Sequence, residues 1–366
     1  MLPGFLVGAL SLQIRGDLDA SVEAVIAGVT VFFLAGAFGA GPGGRLAERV
    51  GAATAMRGCV LVTAACLLAA AALAYSLAAL LALLAVAGLA NAVSQPAINL
   101  FMAEQVPIDR QGLAFGIKQS AIPAAILVSG LALPALGLTL GWRPTFAACA
   151  IGPLAVAAAI RRSAHRLRPA EERTAAPRPS GALLLIAVGA ALASAGPNAL
   201  GAYLVASAVD AGIAEGAAGL LAALGSVLSL LVRVALGVRA DRRRDYGFAS
   251  VAVLLVAGAG GFGLLATEAA APFVVGALLA FALGWGWPGL FNLAVVHRHR
   301  DAPGAATGIS QSGIYVGAAG GPAAFGAISA VAGYPAAWGA AAAFAMSGAA
   351  VIALAGRRVG LRVSWR

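Results

Sequence analysis

Residues 181–207 read GALLLIAVGAALASAGPNALGAYLVAS, without a single charged side chain. A helix rises about 1.5 Å per residue and a bilayer hydrocarbon core is about 30 Å thick, so roughly 20 apolar residues cross it. Residues 248–267 and 339–356 approach or meet the same length. The rest of the chain repeats the pattern, with long apolar runs broken by short loops that mostly carry arginine. Lipid is therefore the solvent of the outer surface, and function rests with the few polar groups turned inward.

Composition agrees. The chain is 61% hydrophobic and only 10% charged, against about 25% charged residues in an ordinary soluble domain. The formal charge of +10 sets 24 basic residues, all arginine except Lys118, against 14 acidic ones. Alternating the loops from side to side puts Arg45, Arg49, Arg57, Arg110, residues 161–178, 239–244, Arg298, Arg300 and the tail on one face. Arg15 and Arg143 fall on the other. That asymmetry is the positive-inside bias, so the arginine-rich face and both termini are expected in the cytoplasm of a cell-membrane protein. No aromatic interleaving accompanies the arginines, so no nucleic acid is expected as partner. Cys59, Cys66 and Cys149 sit in apolar runs as small hydrophobes, and no metal-ligand spacing exists.

Only helices and closed barrels satisfy their backbone in lipid, and the short alternating strands of a barrel are absent. The expected class is an all-α integral membrane protein with about twelve spans: 1–14 (partial), 21–43, 53–74, 76–102, 113–137, 143–160, 181–208, 215–238, 247–267, 270–296, 304–330 and 335–356. The first is too short to cross, and reads as a helix whose first half is missing or as a signal-like or interfacial segment. Residues 161–180, RRSAHRLRPAEERTAAPRPS, form the longest polar run and read as a cytoplasmic linker. The domains are then 1–160, a six-helix bundle, and 181–356, a second one, with a cytoplasmic tail at 357–366.

The two halves repeat. GRLAERVG at 44–51 aligns with GVRADRRR at 237–244, a shift of 193. GIKQSAIP at 116–123 aligns with GISQSGIY at 308–315, a shift of 192, and Gly141-Trp142 with Gly333-Tyr334 and Pro96 with Pro288 keep it. Parallel repeats related by an axis along the membrane normal are a transporter architecture.

On these features the chain resembles a major facilitator superfamily transporter. The family's loop motif between helices 2 and 3 is Gly-x-Leu-Ala-Asp-Arg-x-Gly. Gly44, Leu46, Ala47, Arg49 and Gly51 match it, with Glu48 in place of the aspartate. The second copy keeps Gly237, Ala240, Asp241 and Arg242. The resemblance implies that Glu48 faces the start of helix 11 near residues 304–308, and Asp241 the start of helix 5 near 112–116. Each acid would meet the positive end of a helix and hold the cytoplasmic side shut in one state; the alternative is a solvated turn without that role. Two family features of drug–proton antiporters are missing. Residues 76–102 hold no basic residue, and helix 5 carries Gly130 and Pro134 in looser spacing than the motif, whereas the dense run GAAGGPAAFG lies at 317–326.

Lys118 is the sharpest candidate site residue. It lies eight residues past Arg110, about 12 Å deeper along a helix, where an ammonium costs about 2.5–3.5 kcal/mol unless paired or hydrated. It reads as a counter-charge for an anionic substrate, or as a stem snorkelling to the surface or paired between helices. Gln119 follows it. Arg233, two turns before Asp241, reads as interfacial packing and pairing, or as a working member of the gating motif with Gly237, Asp241 and Arg242. Asn91, Gln95 and Asn99 recur every four residues on one face of helix 4. Trp285 and Asn292 of helix 10, Gln311 and Tyr315 of helix 11, and Asn198 and Tyr203 of helix 7 complete the set. Together they line a cavity between the halves, or form interhelical hydrogen bonds.

No Asp or Glu lies in the middle of a span, so proton coupling has no visible carrier. No catalytic constellation, cofactor motif or nucleotide cradle is present either. The expected function is secondary active transport of a small organic solute by alternating access, with a lean to an anion, by a monomer in the bilayer. The alternatives are a binding or sensing protein on the transporter plan without flux, and a multidrug efflux permease.

Overall fold

The computed structural model describes residues 1–107, 110–160, 181–243, 247–267, 269–298 and 303–360. All regular structure among them is helical. The expected linker at 161–180 and the last six residues of the tail lie outside the described residues, as do Glu268, His299 and Arg300.

The chain opens with α1 (Leu2–Ala9) and α2 (Ser11–Leu18), joined at Leu10, whose φ of −102° and ψ of 14° break the helix. The expected single segment 1–14 is thus two short helices reaching Leu18. It is no interfacial appendage: every residue of α1 from Pro3 to Ala9 is buried. Then come α3 (Val22–Val50), α4 (Ala52–Leu73) and α5 (Leu77–Gln105). Ser21 starts α3 by accepting the Ala24 amide at 3.1 Å, and Ser76 caps α5 on the Ala79 amide at 3.2 Å.

The next crossing is built from α6 (Gln111–Gln119), α7 (Ala121–Ala132), a π-turn at Leu133–Gly137 carrying Pro134, and the short α8 (Leu138–Leu140). α9 (Trp142–Cys149) and α10 (Ile151–Ala159) follow. In the second half, α11 (Gly181–Asp210), α12 (Glu215–Arg243) and α13 (Phe248–Leu265) precede α14 (Ala270–Leu279), a second π-turn at Ala280–Gly284, and α15 (Pro288–Arg298). The last helix, α16, runs Pro303–Gly360 and is broken at Gly333, with φ 80° and ψ 169°.

Among the described residues, nine helical stretches are long and apolar enough to cross a membrane. One of them, Ala306–Arg357, has 52 residues, roughly 78 Å of helix and far more than a single crossing needs. Its first arm runs parallel to α11, with Gly313, Gly317 and Gly321 against the carbonyls of Ala187, Ala191 and Ala195. Its second arm returns, with Gly348 at Ala193 and Ile352 at Gly189.

The spans also end differently from expectation. Residues 44–50 are the last turns of α3, and the chain reverses at Gly51 alone, whose φ is 85°. Gly237–Arg242 likewise belong to α12. Gly44 and Gly237 are therefore helical glycines, and the positive-φ turn needed only Gly51.

Small residues let the helices touch, as association in lipid requires. A Cβ on Gly88 of α5 would stand 2.1 Å from the Phe32 carbonyl of α3. Between the halves, Gly130 of α7 meets the Gly219 carbonyl of α12, and Gly8 of α1 meets the Ala202 carbonyl of α11. Side chains such as Phe38, Leu224 and Val253 point outward, to where acyl chains would lie.

Candidate functional site

The seam between α6–α7 and α12 carries the polar chemistry. The two strands of helix run antiparallel, with Gly116 opposite Arg233 and Gly130 opposite Gly219. At the arginine-rich end, the Leu113 amide donates to Asp241 Oδ2 at 3.0 Å. Leu113 lies in the first turn of α6, where amides have no partner in their own helix and the dipole favours an acid. This is the junction that the loop motif implied for Asp241. Arg242 beside it is exposed, as is Arg49. The side chains of Glu48 and Asn99, and the surroundings of Gly44, lie outside the described residues.

Arg233 is paired, and buried deeper than an interfacial position. It is 1% exposed and reaches across the seam rather than along the surface. Its Nε donates to the Trp285 carbonyl at 2.9 Å, its Nη1 donates to the Gln119 carbonyl, and its guanidinium lies 5.9 Å from the Trp285 ring centre. Both carbonyls are free for a physical reason. Pro123 stands four residues after Gln119 and has no N–H to give. Trp285 follows the π-turn, where φ of −114° leaves the helix. The third nitrogen, Nη2, is buried without a partner. A buried polar group left unpaired costs about 1–3 kcal/mol, more when charged.

The other candidates divide. Trp285 packs on Phe5 of α1 and on Phe281, each at 6.0 Å between ring centres. Gln119 is buried and contributes its main-chain oxygen to Arg233. Lys118, next to it, is half-buried and engaged in contacts of its own. Asn91 is buried with its Nδ2 unpaired, as is the Tyr315 hydroxyl, while Gln95 and Gln311 are half-buried and Asn292 is buried. No hydrogen bond joins these to Arg233 among the described residues. Asn198 spends its amide on the Ser194 carbonyl of its own helix at 2.8 Å. Tyr203 stacks on Phe325 at 4.7 Å, towards the end of α11 remote from Arg233.

Sequence reasoning passed over one assembly on the opposite face. Asp17 Oδ2 accepts from Arg143 Nε at 3.1 Å and from Trp142 Nε1 at 3.0 Å. Arg143 also donates to the carbonyls of Ala71 and Ala74, and lies between the rings of Tyr75 and Trp142 at 4.6 and 4.4 Å. An arginine on a face that otherwise holds only Arg15 was the available signal. On the same face, a pocket of about 430 Å³ is lined by residues that include Ser207, Asp210, Thr267, Phe273, Tyr334 and Pro335.

Among the described residues no group of His, Cys, Asp and Glu could hold a metal ion. No curated protein matches the chain. The family model of the Major Facilitator Superfamily matches residues 3–186, half of the 366 residues, from α1 through the start of α11. With its apolar helices and small-residue seams, the chain belongs to the Major Facilitator Superfamily of membrane transporters.

Proposed function

We propose that this transporter is a secondary active carrier of a small organic anion, working by alternating access as its two halves rock about the α6–α7/α12 seam. The observation that carries the substrate reading is the buried Arg233, with an unpartnered nitrogen at the seam between the halves. A buried guanidinium nitrogen without a partner is a charge-assisted donor for a carboxylate oxygen. Lys118, one residue from Gln119, adds positive charge on the same helix. The Leu113–Asp241 junction supports the rocking: it ties the halves at the arginine-rich face and must part when that face opens. The setting is the cell membrane with both termini cytoplasmic.

A thermal-shift screen of metabolite anions and cations on the purified full chain tests the reading. Carboxylate hits are expected on the native protein, lost in Arg233→Lys and weakened in Lys118→Ala. Hits confined to organic cations and indifferent to Arg233 would overturn it.

A further inference from the structure

Positions 192 or 193 residues apart share backbone geometry as well as sequence. Asp19 has φ 47° and Gly212 φ 82°. The Ala20 amide bonds the Arg15 carbonyl at 3.1 Å, and the Ile213 amide bonds the Ala208 carbonyl at 2.9 Å. Gly141 and Gly333 adopt φ, ψ of 85°, 175° and 80°, 169°. The turns after α2 and α11 are thus one turn made twice, and so are the turn before α9 and the bend of α16.

In the first half these turns bring together the assembly around Arg143. The same shifts carry Asp17 to Asp210, Ala74 to Thr267, Trp142 to Tyr334 and Arg143 to Pro335. Aspartate, helix end and one of the two aromatic rings are retained, whereas Glu268, outside the described residues, stands in place of Tyr75 and proline has replaced the cation they surround. The pocket of about 430 Å³ lies at this place, lined by Asp210, Thr267, Tyr334 and Pro335 among others. No hydrogen bond or ion pair engages the Asp210 carboxylate among the described residues. Two acids, Glu23 and Asp210, and one base, Arg15, act on the Tyr334 hydroxyl at the pocket wall.

We propose that this pocket binds a small organic monocation, a guanidinium or primary alkylammonium, in place of the missing arginine. Asp210 is its counter-ion, the Thr267 carbonyl its acceptor as Ala74 is for Arg143, and Tyr334 its π face. The Leu264 carbonyl, counterpart of Ala71, already accepts from Thr267 N and Oγ1 at 3.1 and 2.7 Å. The ligand therefore has one acceptor fewer than Arg143. The site is open and its charge exposed, so binding is weak, with a dissociation constant of about 1–10 mM. It is separate from the Arg233 seam and stands or falls independently of the substrate reading above.

The test uses the full chain in detergent, with n-propylguanidinium and its neutral isostere n-propylurea at matched ionic strength, followed by saturation-transfer NMR. The guanidinium is expected to bind and the urea not. Asp210→Asn should weaken binding about two- to fivefold, Pro335→Arg should remove it by supplying the chain's own guanidinium, and Asp17→Asn should leave it unchanged. Binding of native strength in Asp210→Asn, or binding that propylurea matches, overturns the proposal. So does a native protein that binds only after Arg15→Ala, because Arg15 is then the occupant. Asp210→Asn keeps the side chain's shape, so the result does not hang on whether Pro335→Arg folds.

Discussion

The Leu113 amide donates to the Asp241 carboxylate across 128 residues of chain, at 3.0 Å. This joins the first turn of α6 to the last of α12, and so one half of the molecule to the other. The bond pairs an orphan helix-terminal amide with an acid, and a helix N-terminus adds a favourable field. The bond is half-buried.

Asp241→Asn keeps an acceptor oxygen but removes the charge. The loss is about 0.3–1 kcal/mol, which favours opening of the arginine-rich face about two- to fivefold. A cysteine at the buried Ser120, labelled from that face by an impermeant maleimide, should react faster by that factor in the Asp241→Asn background. Equal labelling rates would mean that the junction does not restrain the halves.

Gly88 and Gly58 make a matched pair for the packing. A Cβ at Gly88 would stand 2.1 Å from the Phe32 carbonyl, while one at Gly58 meets nothing within 4 Å. Gly88→Val is expected to cost about 1–3 kcal/mol through forced separation of α3 and α5, and Gly58→Val no more than about 0.5 kcal/mol. Thermal unfolding in detergent should show a clear fall in Tm for the first only. Similar Tm values for both would contradict the close approach.

The assembly around Arg143 separates charge from packing. The Arg143 and Asp17 side chains are 24% and 47% exposed, so their ion pair is worth about 0–1 kcal/mol and is screened by salt. The carbonyl bonds and the two ring contacts of Arg143 do not depend on Asp17. Arg143→Ala should therefore lower Tm more than Asp17→Asn, and raising the salt concentration should remove most of the second effect but only the ion-pair share of the first. An equal, equally salt-sensitive loss for both would reduce the assembly to its ion pair.

Much of this was legible in the sequence because lipid leaves a chain few options. Charge-free runs such as 181–207 could only be helices, arginine placement ordered the loops, and the spacing of 192–193 between motifs matches the backbone at Gly141 and Gly333. Helix ends were harder to read. Glycine permits a turn but does not require one, so Gly44 and Gly237 looked like turn residues although only Gly51 leaves the helix. The role of Arg233 was partly hidden for another reason. Periodicity gives a residue's height and face on its own helix, but not which carbonyl waits opposite. The missing N–H of Pro123 was a readable hint that the Gln119 carbonyl would seek a donor elsewhere. Asn198 misled because an asparagine amide reaches the carbonyl four residues back on its own helix, which no stripe pattern reveals.

Rocking of the halves is tested most directly by the distance between the ends of α6 and α12 at the arginine-rich face. Spin labels at the exposed Arg110 and Arg242, with Cys59, Cys66 and Cys149 replaced by serine, report it by double electron–electron resonance in nanodiscs. Two distances are expected, the shorter matching the Leu113–Asp241 contact and the longer gaining population in Asp241→Asn. A single short distance, unchanged by Asp241→Asn and by every anion that stabilises the protein, would contradict it.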